Sequence, residues 1–153
     1  MNVLFQIVLG SSLLIACAFI HIFIISRIIL KLQLANHFST DQSAKHQIFV
    51  VAALFTVLIG SHTLQIYVWA IMLWLIGALP GYEEPIYFTL VTYTALGYGD
   101  VVLTPAFRIF GAMISVTGLV MFGMTTAFLV GIFSRILHEK NMDEKQSQVN
   151  KKH

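Results

Sequence analysis

Asp, Glu, Lys and Arg are absent from three long stretches of this chain: Met1 to Ser26, His46 to Tyr82 and Ile109 to Ser134. No other feature constrains the fold as strongly. Each stretch exceeds the ~20 residues a helix needs to cross a hydrocarbon core of ~30 Å. Lipid also accepts only backbone whose polar groups are bonded within the protein. We read three spanning helices, near Val3–Leu30, Gln47–Leu79 and Ala106–Leu137, and therefore an all-α membrane protein. Composition agrees, with 58% hydrophobic and 10% charged residues, against roughly 25% charged in soluble domains. A soluble enzyme, a disordered chain and a nucleic-acid binder are excluded. The net charge is only +2, and the basic residues sit in loops and the tail. One cysteine, Cys17, rules out an intrachain disulfide framework and a Cys-rich metal site.

Between the second and third stretches lies an apolar segment too short to span, Pro85 to Leu96. Pro85 suits a first helical position, and Glu83 and Glu84 suit the positive end of a helix dipole. Gly97, Gly99, Asp100 and Pro105 then break the helix. A short helix that returns as irregular backbone is a re-entrant loop. Such backbone survives at membrane depth only when buried in protein or lining a watery path.

Lys and Arg set the orientation. Arg27, Lys31 and Lys45 flank the first connection, and Arg135, Lys140, Lys145, Lys151 and Lys152 flank the third helix and fill the tail; only Arg108 lies on the other side. The positive-inside rule places that connection and tail in the cytoplasm. The N-terminus and the loop then face outward, where Glu83, Glu84 and Asp100 form an acidic, cation-concentrating mouth.

Other features carry bland readings. Leu14-Ile15-Ala16-Cys17 is lipoprotein-like, but no basic residue precedes it and the apolar run continues, so Cys17 reads as a lipid- or protein-facing apolar residue. Arg27 and Lys31 read as snorkelling anchors rather than a voltage sensor. His62 and Gln65 share one face of the second helix. Either they hydrogen-bond between helices, or His62 makes a proton-sensitive contact with the loop or its helix. Trp69, Trp74 and Tyr82 suit packing and the outer interfacial belt. We find no Ser/His/Asp grouping, H-E-x-x-H or phosphate-cradling loop, and therefore expect no enzyme and no cofactor.

The loop reads Thr92-Tyr93-Thr94-Ala95-Leu96-Gly97-Tyr98-Gly99-Asp100. It resembles the potassium-channel selectivity filter, T-V-G-Y-G-D. The chemistry is intelligible in itself: backbone carbonyl rings replace a cation's water without adding fixed charge. Gly97 and Gly99 can take positive φ, which lets carbonyls converge on one axis. Tyr98 can pack outward and fix the loop's width. The resemblance runs from about Ser61 to Gly131. It implies potassium ions held at the carbonyls of Ala95, Leu96, Gly97 and Tyr98, with Gly99 completing the filter and Thr92, Thr94 and Asp100 supporting it. It also implies an inner-helix glycine at Gly118, read as a gating hinge or a packing contact. Phe122-Gly123 and Thr125-Thr126-Ala127 are similar to inner-helix sequence.

Three departures stand out. Ala95 replaces the family's threonine, removing a hydroxyl ring at the innermost ion position. Val91 replaces a buried acid found behind some filters, so packing and hydroxyls must brace the loop. An extra N-terminal helix precedes the pore unit, as in some small prokaryotic members. The absence of a glycosylation sequon fits a prokaryote.

These readings divide the chain into an N-terminal spanning helix (1–32), a cytoplasmic connection (33–46), a pore domain (47–137) and a cytoplasmic tail (138–153) too short for a soluble sensor domain. One loop supplies a quarter of a carbonyl ring, so a homotetramer in the lipid bilayer is expected. The expected function is passive potassium conduction. A weakly selective cation channel and a non-conducting partner subunit are the alternatives.

Overall fold

The computed structural model describes residues 2–34 and 44–150. Most of the expected connection, residues 35–43, and the last three tail residues lie outside them. The described residues form four helices and no strand: α1 (Val3–Leu34), α2 (Ala44–Leu75), α3 (Glu83–Tyr93) and α4 (Arg108–Asn150). Three carry segments long and apolar enough to cross a membrane: Val3–Lys31, Ile48–Leu75 and Arg108–Arg135. The protein is a multi-pass membrane protein with one short helix between its second and third spans.

Helix ends differ from the sequence-based limits for local reasons. α2 stops at Leu75, four residues earlier than expected. Gly77 takes φ 66° there, Ala78 N donates to Leu73 O (2.9 Å) and Gly77 N to Trp74 O (3.0 Å). This paired closure satisfies carbonyls that a helix end leaves bare, and glycine adopts the required left-handed backbone freely. α3 begins two residues before Pro85, which still lies in the first turn, where a missing N–H costs nothing. α4 does not end at Leu137 but continues through 13 tail positions to Asn150. Residues 138–150 lack Gly and Pro and contain Glu, Lys, Gln and Met, so an existing helix propagates through them.

α1 packs chiefly along α4. Gln6 Oε1 accepts the Phe110 amide (3.2 Å), and His21 Nε2 meets Thr125 Oγ1 (3.0 Å). Both pairs are 104 positions apart, so the two helices run parallel and in register. Their N-termini share one end of the molecule. α2 runs antiparallel: His62 meets Thr125 at one level, while Trp69 lies 5.2 Å from the Phe110 ring nearer the start of α4. Lipid gives apolar side chains little reason to leave it for one another, so small residues and polar contacts decide membrane helix packing. Gly10 admits Met113, whose Cγ would stand 2.7 Å from a Cβ there. Gly111 likewise admits Leu103. The core joins Cys17, Trp69, Leu73, Tyr93, Phe110 and Ile114. Cys17 thus faces protein, not lipid.

Candidate functional site

α3 ends as α2 does, with one difference. Ala95 N donates to Thr92 O (3.0 Å) and Leu96 N to Val91 O (3.0 Å), the same paired closure. The left-handed position is here filled by Ala95, at φ 59°, and not by glycine. A Cβ in that conformation costs roughly 1–2 kcal/mol. The loop then alternates. Gly97 (φ 57°) and Gly99 (φ 78°) are left-handed, whereas Leu96 and Tyr98 are not. Sequence reasoning anticipated the two glycines. It did not anticipate Ala95, because nothing about an alanine announces positive φ.

Residues 94–100 are all exposed in the isolated chain, with Leu96 at 59% and Tyr98 at 67%. Behind them α3 and the loop enclose a cleft of about 180 Å³, lined by Tyr87, Phe88, Val91, Thr92 and Asp100 among others. Val91 is buried there. The loop's C-terminal end is tied by a hydroxyl: Tyr87 Oη donates to Asp100 Oδ2 (2.5 Å). That bond holds the Asp100 carboxyl below its ordinary range and raises the Tyr87 phenol above its own. Asp100 Oδ1 also accepts the Val101 amide (3.1 Å). The expected hydroxyl brace therefore exists at Tyr87, on the short helix α3. Thr94 turns its hydroxyl back onto Leu90 O (2.8 Å) within its own helix. Thr92 contributes its carbonyl, which accepts Ser115 Oγ of α4 (2.9 Å).

Gly118 faces the base of the loop. A Cβ there would fall on the Tyr93 carbonyl oxygen and 2.8 Å from the carbonyl carbon. This is the packing role that the sequence left open beside a hinge.

His62 hydrogen-bonds between helices, and one of its partners belongs to the short helix. Its Nδ1 lies 3.0 Å from Tyr93 Oη at the end of α3, and its Nε2 lies 2.9 Å from Thr125 Oγ1 of α4. Gln65 joins them, its Oε1 accepting Tyr93 Oη (3.0 Å) and its Nε2 meeting His21 Nδ1 (3.3 Å). His21 Nδ1 also meets Ser61 Oγ (2.8 Å). The sequence reading missed His21, although the rule that singled out His62, an ionisable group inside a span, applies to it equally.

Residues 48–135, covering α3, nearly all of α2 and the membrane part of α4, match a family described as "Ion channel". Among curated proteins, the A-type voltage-gated potassium channel KCND3 of Rattus norvegicus, Oryctolagus cuniculus and Homo sapiens is 39% identical over 61 residues. That alignment covers 39% of this chain and 9% of the length of each relative. No solved structure matches the chain.

Proposed function

The chain belongs to the ion channel family that its residues 48–135 match, and from that membership we propose that four copies assemble around an axis and conduct potassium passively through residues 95–99. One observation carries this reading. The loop is irregular, alternates the sign of φ and is bare in the single chain, yet it lies between two membrane spans. Backbone of that kind is tolerated only where protein or water covers it. Four copies would supply the cover, with Tyr98 of each packed against a neighbour.

Alternating left- and right-handed backbone can turn successive carbonyls to one side, where uniform strand backbone alternates them. A ring built this way exchanges carbonyl oxygens for an ion's water at Ala95, Leu96, Gly97 and Tyr98. Asp100 supports entry from the acidic mouth. α4 leaves a helical stripe exposed, Ala112, Val116, Leu119, Gly123, Ala127 and Val130, which suits the lining between copies and around a central path. The distribution of Lys and Arg supports an outward loop and cytoplasmic α4 C-terminus.

Ala95 favours a second reading, weak selectivity among monovalent cations, because it offers no hydroxyl at the innermost position. Flux from purified protein in liposomes decides between them. Potassium flux well above sodium flux is expected. Equal fluxes establish the second reading, and no flux of either overturns conduction by this chain alone.

A further inference from the structure

Donors and acceptors around His62 close into a ring. Tyr93 Oη donates to Gln65 Oε1 (3.0 Å), which commits its only hydrogen. His62 Nδ1 therefore carries the hydrogen it shares with Tyr93 Oη (3.0 Å). In neutral imidazole, Nε2 is then an acceptor, so Thr125 donates to it (2.9 Å). With its own hydrogen committed, Thr125 Oγ1 accepts from His21 Nε2 (3.0 Å). His21 Nδ1 is left to accept from Gln65 Nε2 (3.3 Å), the residue where the circuit began. Each of the five groups gives one hydrogen bond within the circuit and takes one, His21 Nδ1 sharing its single lone pair between Gln65 Nε2 (3.3 Å) and the nearer Ser61 Oγ (2.8 Å). Ser61 braces the His21 side (2.8 Å). The circuit joins all four helices, since His21 is on α1, His62 and Gln65 on α2, Tyr93 on α3 and Thr125 on α4.

Tyr93 is held at both ends by one stripe of α4. Its backbone carbonyl rests against Gly118, and its hydroxyl reaches Thr125 through His62. Those α4 residues are two turns apart, ~10 Å along the axis. Phe122, between them, stands edge-on to Tyr93 at 5.6 Å and lies 4.6 Å from His62. Ser115, one turn before Gly118, holds the Thr92 carbonyl. A tilt or rotation of α4 cannot preserve both ends of this grip unless Tyr93 follows, and Tyr93 lies two residues before Ala95.

We propose that α1, which lies outside the family match, is a working part of the pore: His21 closes a ring with Thr125, His62, Tyr93 and Gln65 that gears the middle of α4 to the base of the filter. This rests on the channel reading above. The ring residues are positioning residues and touch no permeant ion. Because the ring is closed, losing any one member opens it, and losing a second adds little.

Single-channel recording of the full-length protein in planar bilayers tests this with near-isosteric variants, Tyr93→Phe and Thr125→Val. Each is expected to change open probability about fivefold, the population shift that follows loss of one buried hydrogen bond. The double variant should change it no more than either single one. Thr125→Val should also move the reversal potential under mixed potassium and sodium, and Thr125→Ser, which keeps the hydroxyl, should behave as wild type. His21→Phe should reproduce the Thr125→Val phenotype, and His21→Met takes its place if it fails to assemble; wild-type opening in the His21 variant that assembles removes α1 from the ring. Additive effects in the double variant, or an unmoved reversal potential in Thr125→Val, overturn the ring while leaving conduction intact. Silent wild-type protein overturns the channel reading itself, and the ring with it.

Discussion

The carbonyl of Tyr93 occupies the space that a side chain on Gly118 would need. The neighbour is backbone at the foot of the loop, not a side chain that can swing aside. Gly118→Ala should therefore push α4 off the end of α3, at the 1–3 kcal/mol typical of overpacking. We expect a lower melting temperature of the assembled protein and a shifted ion preference. A variant with wild-type melting and selectivity but altered opening would assign Gly118 to a hinge instead.

Ala95 sits in left-handed backbone that β-branched residues avoid. Ala95→Gly should relieve that strain and raise stability by up to ~1 kcal/mol. Ala95→Thr should restore a hydroxyl at the innermost ion position, increase ion density there and tighten discrimination against sodium, but at reduced thermal stability. Melting curves and ion density in the two variants check both halves. Equal or greater stability of the threonine variant would mean that φ at residue 95 is free to change.

Gly99 has open space where a Cβ would go, so its glycine is required by φ 78° alone. Gly99→Ala should abolish conduction while assembly survives, because the cost falls on the loop backbone and the new Cβ crowds nothing within the chain. Flux in liposomes, with oligomeric state measured on the same sample, separates the two effects. Wild-type flux would remove Gly99 from the filter.

The Tyr87–Asp100 bond links the loop to pH. Asp100 titrates below its ordinary range because Tyr87 donates to its ionised form. Its contribution is therefore complete above the ordinary carboxylate range and disappears as pH falls through the depressed value. The Tyr87 phenol is raised, so its share persists below the ordinary phenol range and is lost only as pH rises through the raised value. Tyr87→Phe should shift acid-induced loss of current to higher pH. An unchanged acid limb would show that the bond does not hold the filter.

Gln6 reaches across from α1 to the Phe110 amide, one of the donors that the start of α4 cannot satisfy itself. Gln6→Met leaves that buried amide without this acceptor, at about 1–3 kcal/mol. Chemical denaturation in detergent should show the loss. No loss would mean that another group takes over the cap.

The spans and the irregular backbone of the loop were legible for different reasons. Charge is costly in lipid, so its absence from three long runs marked the helices. Gly97 and Gly99 announced unusual backbone because glycine adopts it freely. Partner choice among the helices was not legible, since a residue facing lipid and one facing another helix can be equally apolar. Cys17, which the sequence left between lipid and protein, and Trp69, left between packing and the interfacial belt, are both fully buried. Tyr93 reads as one more aromatic until its hydroxyl is seen among two histidines. The α4 extension was hidden because charge marks the end of a membrane span without marking the end of a helix.

The parallel register of α1 and α4 imposes an order on biosynthesis. His21 is made 104 residues before Thr125. At ~5–20 residues per second, that is a delay of roughly 5–20 s. Ser61 and Gln65 of α2 reach one side of the imidazole partway through that interval, but its Nε2 and the Gly10 notch have no partner until α4 is made. The third span is the one that completes the packing of the first. Cys17 is a reporter of closure, because in the folded chain it is fully buried in a core that includes Phe110 and Ile114 of α4. In nascent chains arrested short of residue 108 it should react with a membrane-soluble thiol reagent, and in finished chains it should not.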